Sequence, residues 1–203
     1  MSLVGRLLHA VASQPAVYDQ IQLLAGSASV HGHLRRHLMG HGPGGWLVDV
    51  GGGTGLPVDL RPDGSQYLCL DLDPVKLRGF LRKDPSGLAV RADGGRLPIQ
   101  SRSVDLVLCK SVSHHLNTKV LVGLFAECAR ILKPNGRFLF VDAIWAPKRW
   151  RGRMLWRYDR GSYHRNEETL RQLLVADFVV SDWEHFAVHH EYALAVASPR
   201  ADS

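Results

Sequence analysis

Long apolar runs are missing from this sequence of 203 residues. No stretch approaches the ~20 consecutive apolar residues that a transmembrane helix requires. The N-terminal segment, MSLVGRLLHAVASQPAVYDQ, has only a short apolar patch broken by Arg6 and His9, without the basic start and longer apolar region of a signal peptide. We therefore interpret this segment as an amphipathic helix and expect a cytoplasmic protein.

Cysteine is scarce, and its placement argues against two classes of protein. The three cysteines, Cys69, Cys109 and Cys128, are odd in number, lie in apolar segments and form no CxxC pair. This usage is typical of reduced, buried cysteine. It fits neither a disulfide framework nor a zinc site.

Histidines recur near the N-terminus, at His31, His33, His37 and His41. The last three are spaced four residues apart, which places neighbouring pairs on one helix face. No carboxylate or cysteine completes a set of metal ligands at helical spacing, so we predict no metal site. The alternative is that these histidines line the substrate side of the protein.

Acidic residues are outnumbered, because 25 Lys and Arg stand against 19 Asp and Glu and give a formal net charge of +6. The excess lies mostly in residues 148–165, KRWRGRMLWRYDRGSYHR. A basic stretch with interleaved aromatics is able to follow a nucleic-acid backbone. It also fits a helix whose basic face is solvated and whose Trp150, Met154 and Trp156 turn toward the core or a pocket. We favour the helix, because charge runs usually form solvated faces.

The chain is organised as a helical start followed by alternating strands and helices. Helical patterns cover Ser2–Ser13, Pro15–Leu24 and Ser27–Met39, before a glycine-rich break at residues 40–45. We expect residues 1–44 to form an N-terminal helical extension or lid, and residues 45–203 to form the main part of one compact domain.

After the break, short and nearly continuous apolar strands alternate with helical stretches, as in a parallel sheet covered on both faces. Two final strands joined by a short polar turn predict an antiparallel hairpin. The fold class is therefore α/β, with a doubly wound, mostly parallel sheet of seven strands. We place the strands in Trp46–Val50, Tyr67–Leu70, Leu88–Arg91, Val104–Cys109, Phe138–Val141, Phe178–Val188 and Tyr192–Ala197, and the helices in Val75–Leu81, Val120–Leu132 and Glu167–Leu174, with room for a two-turn helix between Gly55 and Tyr67.

The loop after the first strand is rich in glycine and reads Asp49-Val50-Gly51-Gly52-Gly53-Thr54-Gly55. Open α/β sheets bind ligands at the carboxyl ends of their strands, which makes this loop a candidate site. A dinucleotide fingerprint requires G-x-G-x-x-G, but counting from Gly51 its third glycine position is Leu56. The spacing is instead Asp-x-Gly-x-Gly-x-Gly.

Two aspartates follow the second strand. Asp71 lies about 20 residues beyond the loop, where an acidic side chain accepts hydrogen bonds from ribose hydroxyls. Asp73 precedes Pro74, a residue that favours the first helical turn. We therefore predict that Asp71 is the ligand and that Asp73 is the N-cap of the next helix.

These residues resemble the class I S-adenosylmethionine (SAM)-dependent methyltransferases, which have a Rossmann-like fold. Asp49, Gly51, Gly53 and Gly55 are similar to motif I of that family. Four later segments also resemble it in order: Arg91–Ile99, Ser103–Cys109, Ser113–Leu116 and Glu127–Phe138, where Asn135-Gly136 predicts a positive-φ turn.

The resemblance implies SAM as the cofactor. It assigns the ribose to Asp71, the adenine amino group to Asp93 and an adenine ring nitrogen to the amide of Gly94. The competing interpretation of Asp93 is a turn aspartate that satisfies its own backbone. Asp105 fits a structural residue at the turn into the fourth strand.

Methyl transfer from a sulfonium is a direct displacement, so alignment and exclusion of water dominate and a general base helps with hydroxyl, thiol or acidic C–H acceptors. Candidates at the end of the fourth strand are Lys110, His114 and His115. The histidines also fit a structural cap of the following helix. Beyond the fifth strand, Arg160, Tyr163, His164 and Arg165 are candidate substrate residues.

Three functions remain open at the level of sequence. The leading one is methyl transfer to a small molecule such as a secondary metabolite, a quinone-like or a lipid-like acceptor. The second is an RNA or protein methyltransferase that docks through residues 148–165. The third is a protein that binds SAM without transferring methyl, such as a regulatory subunit or a cyclase-like enzyme.

Overall fold

The computed structural model describes residues 27–146 and 163–201. Predicted helices Ser2–Ser13 and Pro15–Leu24, and most of the basic stretch, lie outside these residues. The elements in chain order are α1 (Ser27–Met39), β1 (Trp46–Val50), β2 (Gln66–Asp71), α2 (Pro74–Lys83), β3 (Leu88–Arg91), β4 (Val104–Lys110), α3 (Thr118–Ile131), β5 (Leu132–Ile144), α4 (Glu167–Leu174), β6 (Phe178–Ala187) and β7 (Glu191–Pro199).

The strands form one seven-stranded sheet in the order β3-β2-β1-β4-β5-β7-β6. Strands β1 to β5 pair in parallel, and β7 pairs antiparallel with both β5 and β6. The mostly parallel sheet and its C-terminal hairpin are thus confirmed. The order reverses between β1 and β4, which is the position where open α/β sheets bind ligands.

Helices cover both faces of the sheet. On one face α1 buries Val30, Leu34 and Leu38, whose four-residue spacing makes a single apolar stripe, and it packs with α2 in the same cluster. On the opposite face α3 and α4 cover the alternate side chains of the strands. Helix α1 is therefore part of the core, while a lid role for residues 1–44 stays a prediction.

The predicted two-turn helix between Gly55 and Tyr67 is wrong. Only a 3-10 turn forms there, at Val58–Leu60. Pro57 precedes it, and the Arg61 side chain donates back to the carbonyl of Leu56, so the chain turns at once toward β2. Leu56 and Leu60 share a core cluster with α1, which fills this face of the sheet.

The positive-φ turn at Asn135-Gly136 is also wrong. Neither residue has a positive φ, and both lie within β5, which begins at Leu132 rather than Phe138. Val104 pairs with Leu132 and Leu106 with Arg137, so the one β4 residue between these pairs lies opposite four residues of β5. The extra residues are accommodated as an irregularity of the strand.

Two further features concern the rest of the described chain. All three cysteines are buried and unpaired by disulfides. Within residues 27–146 and 163–201, no helix is both long and apolar enough to cross a membrane.

Candidate functional site

A cavity of about 470 Å³ lies at the carboxyl ends of β1, β2 and β4. Its wall crosses the sheet from the β3 side to the β4 side, at the point where the strand order reverses. The predicted cofactor residues Gly51, Asp71, Asp93 and Gly94 all line it. The remaining wall is formed by Val50, Leu70, Leu72, Asp73, Lys76, Ala92, Leu97, Ser111, Val112, His115, Leu116, Val120 and Leu124.

The glycines of the loop after β1 serve different purposes. Gly51 has a φ of +71°, and a Cβ there would collide with the side chain of Val112, which also lines the cavity. Gly55 has a φ of +85° and packs against the ring of Phe80, so a side chain would displace the α2 core. Gly53 has a φ of +60° and turns its amide toward β2. Each conformation is one that glycine adopts at no steric cost.

Asp71 ends β2 and anchors the neighbouring backbone. One carboxylate oxygen accepts a hydrogen bond from the Gly53 amide at 2.9 Å, and the other accepts from the Asp73 amide at 2.8 Å. Each oxygen keeps acceptor capacity for a ligand, because an ionised carboxylate has about four lone-pair sites. Asp73 accepts from the Val75 amide at 2.8 Å and is the N-cap of α2, as predicted.

Asp93 follows β3 in an exposed turn at the cavity edge. Its Oδ1 accepts from the Gly95 amide at 2.9 Å, a hydrogen bond that uses one of its two oxygens. The turn continues into a loop that is tied to α3, since Glu127 accepts from the Leu97 amide and Arg130 donates to the carbonyl of Ile99. Asp93 therefore does stabilise its own turn, as the competing interpretation predicted, and it also lies beside the cavity.

Asp49 is buried below the loop rather than on the cavity wall. The Tyr67 hydroxyl donates to its Oδ2 at 2.6 Å, while Oδ1 has no hydrogen-bond partner among the described residues. Burial raises the pKa of Asp49, and the Tyr67 hydrogen bond together with the charge of Lys110 opposes that rise. Tyr67 also accepts from the Leu56 amide, so this pair holds both ends of the loop.

The end of β4 carries the predicted acid-base residues Lys110, His114 and His115. Ser111 turns the chain with a φ of +56° and donates its amide to Val141 on β5. His115 lines the cavity, whereas His114 is buried beside it with the two rings 4.1 Å apart. Lys110 is half-buried at the last position of β4.

His114 has a partner that the sequence did not reveal. Its Nδ1 lies 2.6 Å from Oδ1 of Asp142, a fully buried carboxylate on β5. The Ser113 amide donates to Oδ2 at 2.6 Å. Burial alone would raise the pKa of Asp142, but the charge and hydrogen bond of His114 and the Ser113 hydrogen bond hold it below its ordinary value.

The predicted substrate segment lies against this pair. The Tyr163 amide donates to the carbonyl of His114 at 3.1 Å, and the ring of His164 stacks on Trp145 at 5.3 Å. The Arg165 guanidinium is buried and donates to the carbonyls of Ser113 and Leu116, both at 2.8 Å. Arg160 lies outside the described residues.

The N-terminal histidines contact carboxylates on other elements. His33 Nδ1 lies 2.5 Å from Glu184 on β6, and its ring stacks on Phe186 at 3.8 Å. His37 approaches the same carboxylate at 3.7 Å. Burial and the charge of Lys110 lower the pKa of His31 to about 4, with Arg35 adding to and Asp59 opposing the effect.

Comparison with known proteins agrees with this geometry. Residues 48–140 match the model of a family described as methyltransferase domain. A protein of Mycobacterium avium called an uncharacterized methyltransferase is 34% identical over 112 residues, which cover 52% of this chain and 44% of the relative. One from Mycobacterium bovis is 32% identical over 102 residues, covering 49% and 39%. The matched part is thus less than half the length of these relatives.

Solved structures share the fold at low sequence identity. A geranyl diphosphate methyltransferase in complex with SAM has a TM-score of 0.68 and 19% identity, and the match covers 85% of each chain. The 4+2 cyclase SpnF has a TM-score of 0.67 and 17% identity, with 84% of this chain and 80% of the cyclase covered.

Residues 48–140 thus match the methyltransferase-domain family, in agreement with the resemblance seen in the sequence, and the chain shares its fold with a solved methyltransferase.

Proposed function

We propose that this chain transfers the methyl group of SAM to a small-molecule acceptor. The observation that supports this most is the cavity at the switch point, which brings together Gly51, Asp71 and Asp93 from three separate loops. The residues fit the cofactor chemically: a glycine stands where a Cβ would collide with the side chain of Val112, and carboxylates stand where hydroxyl and amino groups need acceptors.

Each residue of the cofactor site then has a definite task. Asp71 accepts hydrogen bonds from the ribose hydroxyls, Asp93 accepts from the adenine amino group, and the Gly94 amide donates to an adenine ring nitrogen. The Asp49 loop, with Gly51, Gly53 and Gly55, holds the amino-acid end of the cofactor. When bound, SAM supplies a methyl group that is already activated on a sulfonium.

The acceptor would lie over the ends of β4 and β5. Lys110, His114 and His115 surround the first of these ends, and Tyr163 and His164 would wall the second. Arg165 would support this wall through its hydrogen bonds to the loop at residues 113–116. A lipid-like acceptor has support from the neighbours whose names include geranyl diphosphate.

A second function has support from one neighbour. The structure named as a 4+2 cyclase has a TM-score of 0.67, so the same fold also serves an enzyme that is not called a methyltransferase. Under this alternative the chain would bind SAM and not consume it.

Calorimetry and product detection separate these possibilities. We expect SAM and S-adenosylhomocysteine to bind and NAD not to bind, because the loop lacks G-x-G-x-x-G spacing. S-adenosylhomocysteine release is then measured with phenols, quinols, fatty acids and geranyl diphosphate as acceptors. Binding of NAD without SAM would reject the proposal, and SAM binding without product from any acceptor would favour the second function.

A further inference from the structure

The carboxylate of Asp142 is held in one orientation at the end of β5. It is fully buried, and it accepts from the Ser113 amide at 2.6 Å and from its neighbour Ala143 at 2.8 Å. Backbone amides only donate, so both oxygens act as acceptors. The 2.6 Å contact with His114 Nδ1 is then a hydrogen bond in which the imidazole donates.

This hydrogen bond fixes the tautomer of His114. A neutral imidazole carries one proton, and the proton on Nδ1 makes Nε2 the acceptor nitrogen. In known enzymes, a buried carboxylate holds the histidine that acts as general base in one tautomer in the same way.

The pair lies beside the β4 end of the cofactor cavity, where His114 contacts the lining residue His115. The wall of that cavity at β4 is formed by Ser111, Val112 and His115. His114 is next to His115 but is paired to β5, the following strand in the sheet order. Its carbonyl also receives the Tyr163 amide, which fixes the proposed substrate segment against the same turn.

We infer that Asp142 is the positioning residue for His114, which acts as the general base of methyl transfer to an acceptor with an ionisable O–H, S–H or N–H group. This inference rests on the proposed function. As the acceptor atom takes the methyl group, its proton passes to Nε2 of His114 and the C–S bond electrons remain on sulfur. The products are the methylated acceptor, neutral S-adenosylhomocysteine and an imidazolium, which Asp142 stabilises by its negative charge.

The surrounding charges make this carboxylate necessary. Arg165 is held in place beside the turn by the carbonyls of Ser113 and Leu116, and its positive charge opposes formation of an imidazolium. Among the residues that the structure describes, His115 and Tyr163 are further titratable groups that contact the His114 turn. Asp142 is the residue among these that offers a compensating negative charge.

The closing experiment combines NMR with kinetics. Side-chain ¹⁵N spectra of the wild type are recorded, and the His114 signals are assigned by their absence in His114→Gln. In the neutral imidazole of His114, the proton should be found on Nδ1. Asp142→Asn should lower the pKa of His114 by about one unit or more, because an opposite charge is removed. The matched control is Asp84→Asn, which breaks an equally short 2.6 Å pair with Arg61 away from β5.

Kinetics use the acceptor that gives the fastest S-adenosylhomocysteine release. His114→Gln should reduce kcat by about 100-fold or more. Asp142→Asn should reduce kcat at least about tenfold and move the pH midpoint of kcat, with KM for SAM within about twofold of the wild type. Asp84→Asn should leave kcat and the pH midpoint unchanged.

The outcomes are separable. An Nε2–H tautomer of His114 in the wild type overturns the inference even if Asp142→Asn fails to fold. A folded Asp142→Asn variant with unchanged kcat and pH midpoint also overturns the inference and leaves the proposed function standing. A wild type that methylates none of the acceptors rejects the proposed function and the base role with it.

Discussion

Gly53 and Asp71 are joined by a hydrogen bond in which the Gly53 amide donates to the Asp71 carboxylate at 2.9 Å. The same side chain that we propose as the ribose ligand therefore also fixes the loop after β1. Loop geometry and the proposed ribose binding depend on one carboxylate, while the side chain of the neighbouring Asp73 caps α2.

Asp71→Ala should weaken SAM binding by about 1.5–3 kcal/mol, because charge-assisted hydrogen bonds to the ribose are lost. Asp73→Ala is the matched control and should lower the free energy of unfolding by about 1 kcal/mol through loss of the N-cap. Calorimetric titration and chemical denaturation of both variants give the two quantities. A reversal of the two effects would show that ligand and cap have been exchanged.

Gly51→Ala should lower the free energy of unfolding by about 1–3 kcal/mol, since the residue has a positive φ and a Cβ would meet Val112. It should also reduce SAM affinity by narrowing the cavity. Gly32→Ala is the control. Gly32 is exposed in α1 and a Cβ there would meet no other atom, so alanine should raise the free energy of unfolding by about 0.5–1 kcal/mol. Equal stability of the two variants in urea denaturation would contradict this assignment.

His31→Gln should make the protein less sensitive to acid. Burial lowers the pKa of His31 from 6.5 to about 4, so between these values the unfolded chain binds more protons than the folded chain. Stability supplied by neutral His31 is therefore present above pH 6.5 and is lost as pH falls toward 4. Between pH 7 and pH 4, the melting temperature should fall less for His31→Gln than for the wild type. The control is His189→Gln, in the exposed hairpin turn, whose melting temperature should fall as much as that of the wild type.

The basic stretch at residues 148–165 should bind RNA weakly and without sequence preference. We expect that binding to collapse between low and moderate salt, because diffuse phosphate neutralisation is its only support. The salt dependence of binding to mixed RNA is measured by filter binding. The wild type is compared with a triple variant in which Arg149, Arg151 and Arg153 are replaced by alanine. Nanomolar binding at physiological salt, with a slope that falls by about one unit per arginine removed, would instead indicate a nucleic-acid dock.

Local signals in the sequence were sufficient for much of the fold. Asp73-Pro74 marks a helix start by chemistry that involves only its own neighbours, and the cap is found there. The antiparallel pair β6 and β7 follows from two apolar runs with a short polar turn between them. The cap joins residues two positions apart, and the hairpin grows from a turn of a few residues, which is the range that sequence patterns report.

The features that the sequence did not predict depend on contacts between residues far apart in the chain. The loop at residues 56–65 forms no helix because α1 already occupies that face of the sheet, a contact across many residues of chain. Asn135-Gly136 has turn chemistry, but it lies in the irregular part of β5, between the residues that pair with Val104 and Leu106.

Asp142 was missed for the same reason. It stands at the end of an apolar strand, and its meaning depends on His114, which is 28 residues away and brought near by sheet pairing. An acidic residue directly after Phe138–Val141 was the one available signal.

The short 3-10 turn at Val58–Leu60 leads us to expect that this chain does not accept a dinucleotide cofactor. A pyrophosphate rests on the N-terminus of a helix that follows the glycine loop, and here no such helix follows Gly55. Leu56→Gly would complete the dinucleotide spacing from Gly51 but would supply no helix dipole for the phosphates. SAM carries no phosphate and makes no such demand. Cofactor choice is thus encoded in the course of the backbone, and exchange of side chains in the loop would not alter it.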